Sequence, residues 1–128
     1  MENEVKNGRY VDKYGTVSCY KNGQRHREDG PAVEWKDGTK EWWLNGQRHR
    51  EGGPAVEWSD GSKYWYKDGK RHREDGPAIE WAHGDKTWWL NDIQKTEEEF
   101  NQWLEKKLLN ERLQQTLEEK PQGKKVKI

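Results

Sequence analysis

The sequence predicts a mainly-β protein: an antiparallel meander of β-hairpin repeats, about three and a half of them, closed by a C-terminal α-helix. Three observations carry that expectation. A phrase running from Asn22 to Trp35 returns as Asn45 to Trp58 and again as Asp68 to Trp81, so His26, His49 and His72 recur every 23 residues, as do Trp35, Trp58 and Trp81. A period in that range marks stacked units that cannot bury an apolar face alone. Each unit also carries two dipeptide turn signals between β-rich segments, and from Thr96 onward the periodicity becomes helical.

Composition first argues the other way. Only 29% of residues are hydrophobic and 38% are charged, a balance typical of disorder. Nine Trp and five Tyr reverse that reading, because each aromatic buries roughly 150–250 Å² and a column of them can hold a thin sheet together. The 24 basic and 24 acidic residues cancel, which disfavours a dedicated DNA-backbone binder. One cysteine, Cys19, leaves no internal disulfide framework and suits a reducing compartment; it takes an aromatic slot of the repeat and reads as a small buried hydrophobe. With no apolar run long enough to span a membrane and no signal-peptide pattern, the expected location is the cytoplasm.

In chain order, residues 1–21 read as a degenerate first unit, with Tyr14-Gly15 in the slot of Asp37-Gly38 and Tyr10 in that of Val33. Asp37-Gly38, Asp60-Gly61, Asn22-Gly23, Asn45-Gly46 and Asp68-Gly69 all suit two-residue type I′ turns, and His83-Gly84 is a weaker version. Gly30-Pro31, Gly53-Pro54 and Gly76-Pro77 break the chain just before a strand. Two-residue turns then set the register. Trp35 should face Lys40, Glu34 should face Glu41, and Val33 should face Trp42.

Opposed residues share a face, so Val33, Trp35 and Trp42 form an expected core face, repeated as Val56, Trp58, Trp65 and Ile79, Trp81, Trp88. Across Asn45-Gly46, Trp42 faces His49, which places His26, His49 and His72 beside the core tryptophans.

The opposite face collects the candidate partner-binding residues. Tyr20, Trp43, Tyr66 and Trp89 form one column, flanked by Arg25, Arg48 and Arg71 in a cation–π ladder, with Glu34, Glu57 and Glu80 running beside it. Trp, Tyr and Arg are the residue types enriched at binding hot spots. The competing reading is that the C-terminal helix or a second subunit covers this face. Arg27/Glu28, Arg50/Glu51 and Arg73/Glu74 read as a solvated ladder of cross-repeat ion pairs.

The array is assigned to 1–93, an amphipathic helix to 94–121 and a disordered basic tail to 122–128. Thr96-Glu97-Glu98-Glu99 is a capping box, and Pro121 follows the helix end. Phe100, Trp103, Leu104 and Leu108 make a stripe that should dock on the last repeat. Leu109, Leu113 and Leu117 make a second, rotated stripe, left for self-association as a homodimer or for a partner.

The wording Asn-Gly-x-Arg-His, then Asp-Gly, then an aromatic pair, all at period 23, resembles the MORN repeat over residues 7–92, although His26 is followed by Arg27 where the usual repeat has Gly. The His-Arg-Glu-Asp-Gly-Pro-Ala variant, ending in Thr-Glu-Glu-Glu-Phe-x-x-Trp-Leu, is similar to uncharacterised repeat proteins of bacteriophages and other viruses. This resemblance implies a β-hairpin array used for protein contact, sometimes lipid contact, with no shared enzymatic activity, and no cofactor is expected. It further implies a viral protein working in the host cytoplasm, whose partner is a host protein such as a defence factor that the module blocks.

Catalysis and metal binding are expected to be absent. Zinc wants about four ligands converging on one point, whereas stacked repeats spread their histidines along a line. An acid–base site needs one asymmetric constellation rather than three copies of a motif. The alternative function is binding of single-stranded nucleic acid or a nucleotide by aromatic stacking, disfavoured by the acidic column expected on the same face.

Overall fold

The computed structural model describes residues 4–119. Strands β1 (Gly8–Val11) and β2 (Val17–Lys21) open the array, followed by β3 (Gln24–Arg25), β4 (Val33–Glu34), β5 (Lys40–Glu41), β6 (Trp43–Leu44) and β7 (Gln47–Arg48). Then come β8 (Val56–Glu57), β9 (Lys63–Tyr64), β10 (Tyr66–Lys67), β11 (Lys70–Arg71), β12 (Ile79–Glu80), β13 (Lys86–Leu90) and β14 (Ile93–Lys95), before helix α1 (Glu97–Glu119). The strands form an antiparallel meander in the order β1-β2-β4-β5-β8-β9-β12-β13-β14, with β3 on β2 and short arms β6–β7 and β10–β11 to the side. This is the hairpin array with a C-terminal helix that the repeats predict, except that β14 carries the array on to Lys95.

The two turn signals behave differently. At Asn45-Gly46 both residues have positive φ (49° and 78°), the type I′ turn, and Trp43 faces Arg48 as expected. At Asp37-Gly38 only the glycine does. There the Gly38 N–H donates to the Trp35 carbonyl and the Trp35 N–H to the Thr39 carbonyl, so the loop has three residues and ends in a glycine bulge. The Asp37 carboxylate braces this loop by accepting the Thr39 N–H at 2.9 Å, as Asp60 accepts that of Ser62 at 2.8 Å, and the same loop closes at Tyr14-Gly15 and His83-Gly84. The register is therefore one residue off the two-residue expectation: Val33 faces Glu41 and Glu34 faces Lys40.

Each central strand changes partner midway. The Trp42 N–H donates to the Ala55 carbonyl of the next repeat, while its carbonyl accepts from His49 N–H in its own arm. Neighbouring arms are tied by Arg27 N–H to the Trp43 carbonyl and Gly46 N–H to the Arg25 carbonyl. Buried Thr39 and Ser62 lock successive turns together, accepting the Ser59 and Ala82 N–H groups. The core is a thin line of small side chains, Ala32, Val33, Ala55, Val56, Ala78 and Ile79.

Helix α1 begins with the predicted reciprocal cap, Glu99 N–H to Thr96 Oγ1 and Thr96 N–H to Glu99 Oε1. Phe100 is buried, with Trp103 beside it, and the helix packs on β13 and β14. Lys107 ties it to Glu74 of the third repeat at 3.4 Å. Leu108, expected in the docked stripe, is exposed along with Leu109, Leu113 and Leu117, beyond the tie that Lys107 makes to the array. The expected Pro121 stop and the 122–128 tail lie outside the described residues.

Candidate functional site

A one-residue shift of register moves every side chain of a strand to the other face, so the expected faces are reshuffled. Val33, Trp35, Glu41 and Trp43 share one face, because the Glu41 carboxylate accepts both indole N–H groups, from Trp35 at 2.6 Å and Trp43 at 3.1 Å. Trp42 belongs to the other face, with Lys40 and Glu34. The expected core trio of Val33, Trp35 and Trp42 is thus divided. Val33 and Val56 are fully buried, whereas Trp35 and Trp58 are 41% and 40% exposed.

The face bearing Trp42 is closed by its own loops. The Arg50 guanidinium lies 3.8 Å from the Trp42 ring centroid and Arg73 the same distance from Trp65. Each also donates to a carbonyl four residues on, Arg50 to Pro54 at 3.1 Å and Arg73 to Pro77 at 3.2 Å. Gly53 and Gly76 sit beneath these arginines, where an added Cβ would fall 2.9 Å from the guanidinium carbon.

These arginines do not form the expected cross-repeat pairs with their neighbouring glutamates. Arg50 pairs with Glu57 at 2.9 Å, and Arg27 and Arg73 with Asp29 and Asp75 at 2.8 Å. In the first repeat Cys19 replaces the ring and is only half-buried; Arg27 still reaches Pro31 O at 3.2 Å. Glu34, Glu57 and Glu80 also lie here, facing Lys40, Lys63 and Lys86 across the strands. They do not flank the aromatic strip.

The histidines are framework. Nδ1 of His26, His49 and His72 accepts the N–H of Asn45, Asp68 and Asn91 in the next turn, at 2.9, 3.0 and 3.0 Å. With Nδ1 engaged as an acceptor, Nε2 is left to donate, to Glu51 from His49 and to Glu74 from His72. That bond from His72, reinforced by Lys107, holds the Glu74 carboxyl below the ordinary range against the opposing effect of burial.

The open face carries the candidate site. Tyr20, Trp43, Tyr66 and Trp89 form the expected column, and the predicted arginines interleave with it. Arg25 and Arg48 lie 5.3 and 5.2 Å from the Trp43 ring, Arg48 also 5.5 Å from Tyr66, and Arg71 3.8 Å from Trp89. The register adds a second column, Trp35, Trp58 and Trp81, with Tyr64 packed edge-on between the last two.

Sequence reading missed Lys6 and Asn7, which begin the ladder. Lys6 lies 5.0 Å from the Tyr20 ring, and its carbonyl and the Asn7 side chain accept from Gly23 and Asn22 as Arg25 and His26 do one repeat later. They fall out of the 23-residue register, so periodicity could not find them.

Two of the four cations are neutralised. Arg48 pairs with buried Glu41 at 3.2 Å, and Arg71 with Asp92 at 2.9 Å. Asp92 stands where the other arms have glycine, at φ 69°, and its carboxyl is held low by the Arg71 backbone N–H and guanidinium. Lys6 and Arg25 make no ion pair among the described residues. The face is aromatic throughout and most strongly cationic at its N-terminal end.

No protein-family model matches this chain, and no curated protein matches it. Among the described residues, no helix is long and apolar enough to cross a membrane.

Proposed function

We propose that this protein is a non-enzymatic binding module whose open aromatic face occupies the surface of a protein partner. One observation carries the reading: two columns of aromatic rings, interleaved with arginines, stand on one face while the other is closed by its own loops. Trp35 and Trp58 are exposed, with the other rings half-buried beside them; an exposed aromatic patch marks an interaction site, and these residue types are those of binding hot spots. The sequence resemblance to viral repeat proteins makes the partner a host protein, including a defence factor that the module blocks in the host cytoplasm.

Affinity capture from host lysate tests the reading. Trp58→Ala, at a position 40% exposed, should abolish capture at a temperature where the unfolding curve shows the variant still folded. Capture unchanged by Trp58→Ala and Tyr66→Ala together would place the site elsewhere.

A second reading, single-stranded nucleic acid stacked on the rings, is favoured by one finding: the Glu34, Glu57 and Glu80 column lies on the opposite face and does not repel phosphate there. Salt separates the two, because phosphate-driven affinity falls steeply with ionic strength and an aromatic-anchored protein contact does not.

A further inference from the structure

The repeat sets a ruler. Trp35 and Trp58 are separated by two hydrogen-bonded strand steps, β4 to β5 and β5 to β8. At ~4.8 Å per step, equivalent rings recur every ~9.6 Å along the array. A ligand that meets each repeat in the same way must advance by that distance and return to the same orientation.

Three chain conformations can be held against this ruler. An extended strand covers ~10 Å in three residues, but its side chains alternate, so every third one points away. An α-helix needs seven residues and ~10.5 Å, and drifts by nearly 3 Å over three repeats. A polyproline II helix makes one turn in three residues and ~9.3 Å, which keeps every third residue on the same side and drifts by less than about 1 Å over three repeats. It is also the conformation that aromatic-lined surfaces recognise without an ordering cost.

Charge gives the ligand a direction. Arg48 and Arg71 are already neutralised by Glu41 and Asp92. Lys6 and Arg25 have no such partner among the described residues, and with Tyr10, Tyr20 and Trp35 they line a cleft of about 330 Å³ at the N-terminal end of the face. Asp12 also borders it, held by the Tyr14 and Thr16 N–H groups, so two cations and one carboxylate leave the cleft with one net positive charge.

Resting on the protein-binding reading above, we propose that the open face binds a proline-rich polypeptide in the polyproline II conformation, laid along the array with its acidic end over Lys6 and Arg25 and its apolar end over Trp58 and Trp81. From Tyr20 to Trp89 the column spans three repeats, which about nine residues of such a helix would cover.

Titration of the full chain with synthetic peptides, followed by tryptophan fluorescence, tests this. The first peptide is two Glu-Pro-Pro units followed by two Leu-Pro-Pro units. The second has the same composition with the prolines redistributed to destroy the three-residue period. The first should bind roughly tenfold tighter or more, and Trp58→Ala should remove that advantage. Arg25→Glu should weaken the first peptide, and exchanging its glutamates for lysines should restore binding to that variant, a rescue that misfolding cannot produce.

Equal binding of the two peptides, or saturable binding of neither, overturns the proposal; so does binding of oligothymidylate alone. If the peptides fail while Trp58→Ala still abolishes partner capture, the conformation of the ligand is wrong and the face is right. If capture also survives that substitution, both readings fall.

Discussion

The two faces of the sheet use the same pair, an arginine over an aromatic ring, to opposite ends. On the closed face, Arg50 is fixed on every side: Trp42 above, the Pro54 carbonyl and Glu57 at its edge, and Gly53 beneath. On the open face, Arg25 has a ring 5.3 Å away and no carboxylate among the described residues. A cation–π contact alone contributes about 0.5–1 kcal/mol when exposed. The additional ties turn one arginine into framework and leave the other free to meet a partner.

The sharpest way to break this comparison is to crowd the clamp. Gly53 is buried without a positive φ, so alanine there tests sterics alone. Gly53→Ala should cost about 1–2 kcal/mol in chemical denaturation, because the guanidinium can swing aside only by giving up its contacts with Trp42, the Pro54 carbonyl and Glu57. In an Arg50→Ala background the same substitution should cost little, because its Cβ then has room. Additivity of the two changes would show that Arg50 does not rest on Gly53.

His49→Ala comes next, at about 1–2 kcal/mol, since it removes a mostly buried ring and the acceptor for the Asp68 N–H. His49→Gln, which can still offer an acceptor, should recover part of that loss. A chelator should leave the melting temperature unchanged, because each Nδ1 is already engaged by a backbone N–H. A large chelator effect would return the histidines to metal binding.

How much of this contrast could be read from the chain is itself instructive. The period, the Asn-Gly arms with their register, and the Thr96–Glu99 cap were legible because each depends on local residues with one favoured geometry. The faces were not. Asp37-Gly38 and Asn45-Gly46 look alike as turn signals, yet the first closes with the Trp35 N–H on the Thr39 carbonyl and its loop is one residue longer.

That single slip carried Trp35 away from Trp42 and the Glu34 column away from the aromatic strip. The clamp was missed for another reason. Arg50 and Glu51 resemble a surface ion pair, and the pointer to packing was Gly53, a glycine with no turn to make.

Acid should loosen both faces gradually. Backbone and side-chain donors depress the carboxyls of Asp37, Asp60, Glu74 and Asp92, led by the Thr39, Ser62, His72 and Arg71 donors respectively. A carboxyl with a lowered folded pKa contributes fully above its unfolded value, about 4, and loses that contribution as pH falls through the folded value. Melting temperatures measured downward from pH 5 should therefore fall, and Asp92→Asn should fall less steeply than wild type. Parallel curves would mean that the bond from Asp92 to Arg71 adds no stability.

On the open face, Arg25→Ala should change stability by no more than about 1 kcal/mol, the upper end for an exposed cation–π contact, while weakening partner capture. If it destabilised as much as Gly53→Ala, the two arginines would be equivalent and the open face would be framework too.

The smallest stability effect belongs to a third surface, the far end of α1. Leu109, Leu113 and Leu117 are more than half exposed, with Leu113 at 54%, so Leu113→Glu should leave unfolding within about 0.5 kcal/mol of wild type. Its consequence lies between molecules. Covering three half-exposed leucines on each of two helices removes about 600 Å² from water and offers at most ~15 kcal/mol at ~25 cal/mol per Å² of apolar surface, which an association cost of roughly 4–15 kcal/mol in lost freedom largely cancels. A homodimer through this stripe alone is therefore weak, visible only at high protein concentration. Light scattering over a concentration series should show wild type approaching twice its monomer mass while Leu113→Glu stays monomeric. A wild type that remains monomeric throughout would remove the homodimer and leave the stripe to a larger partner surface, because three leucines supply too little area to act alone.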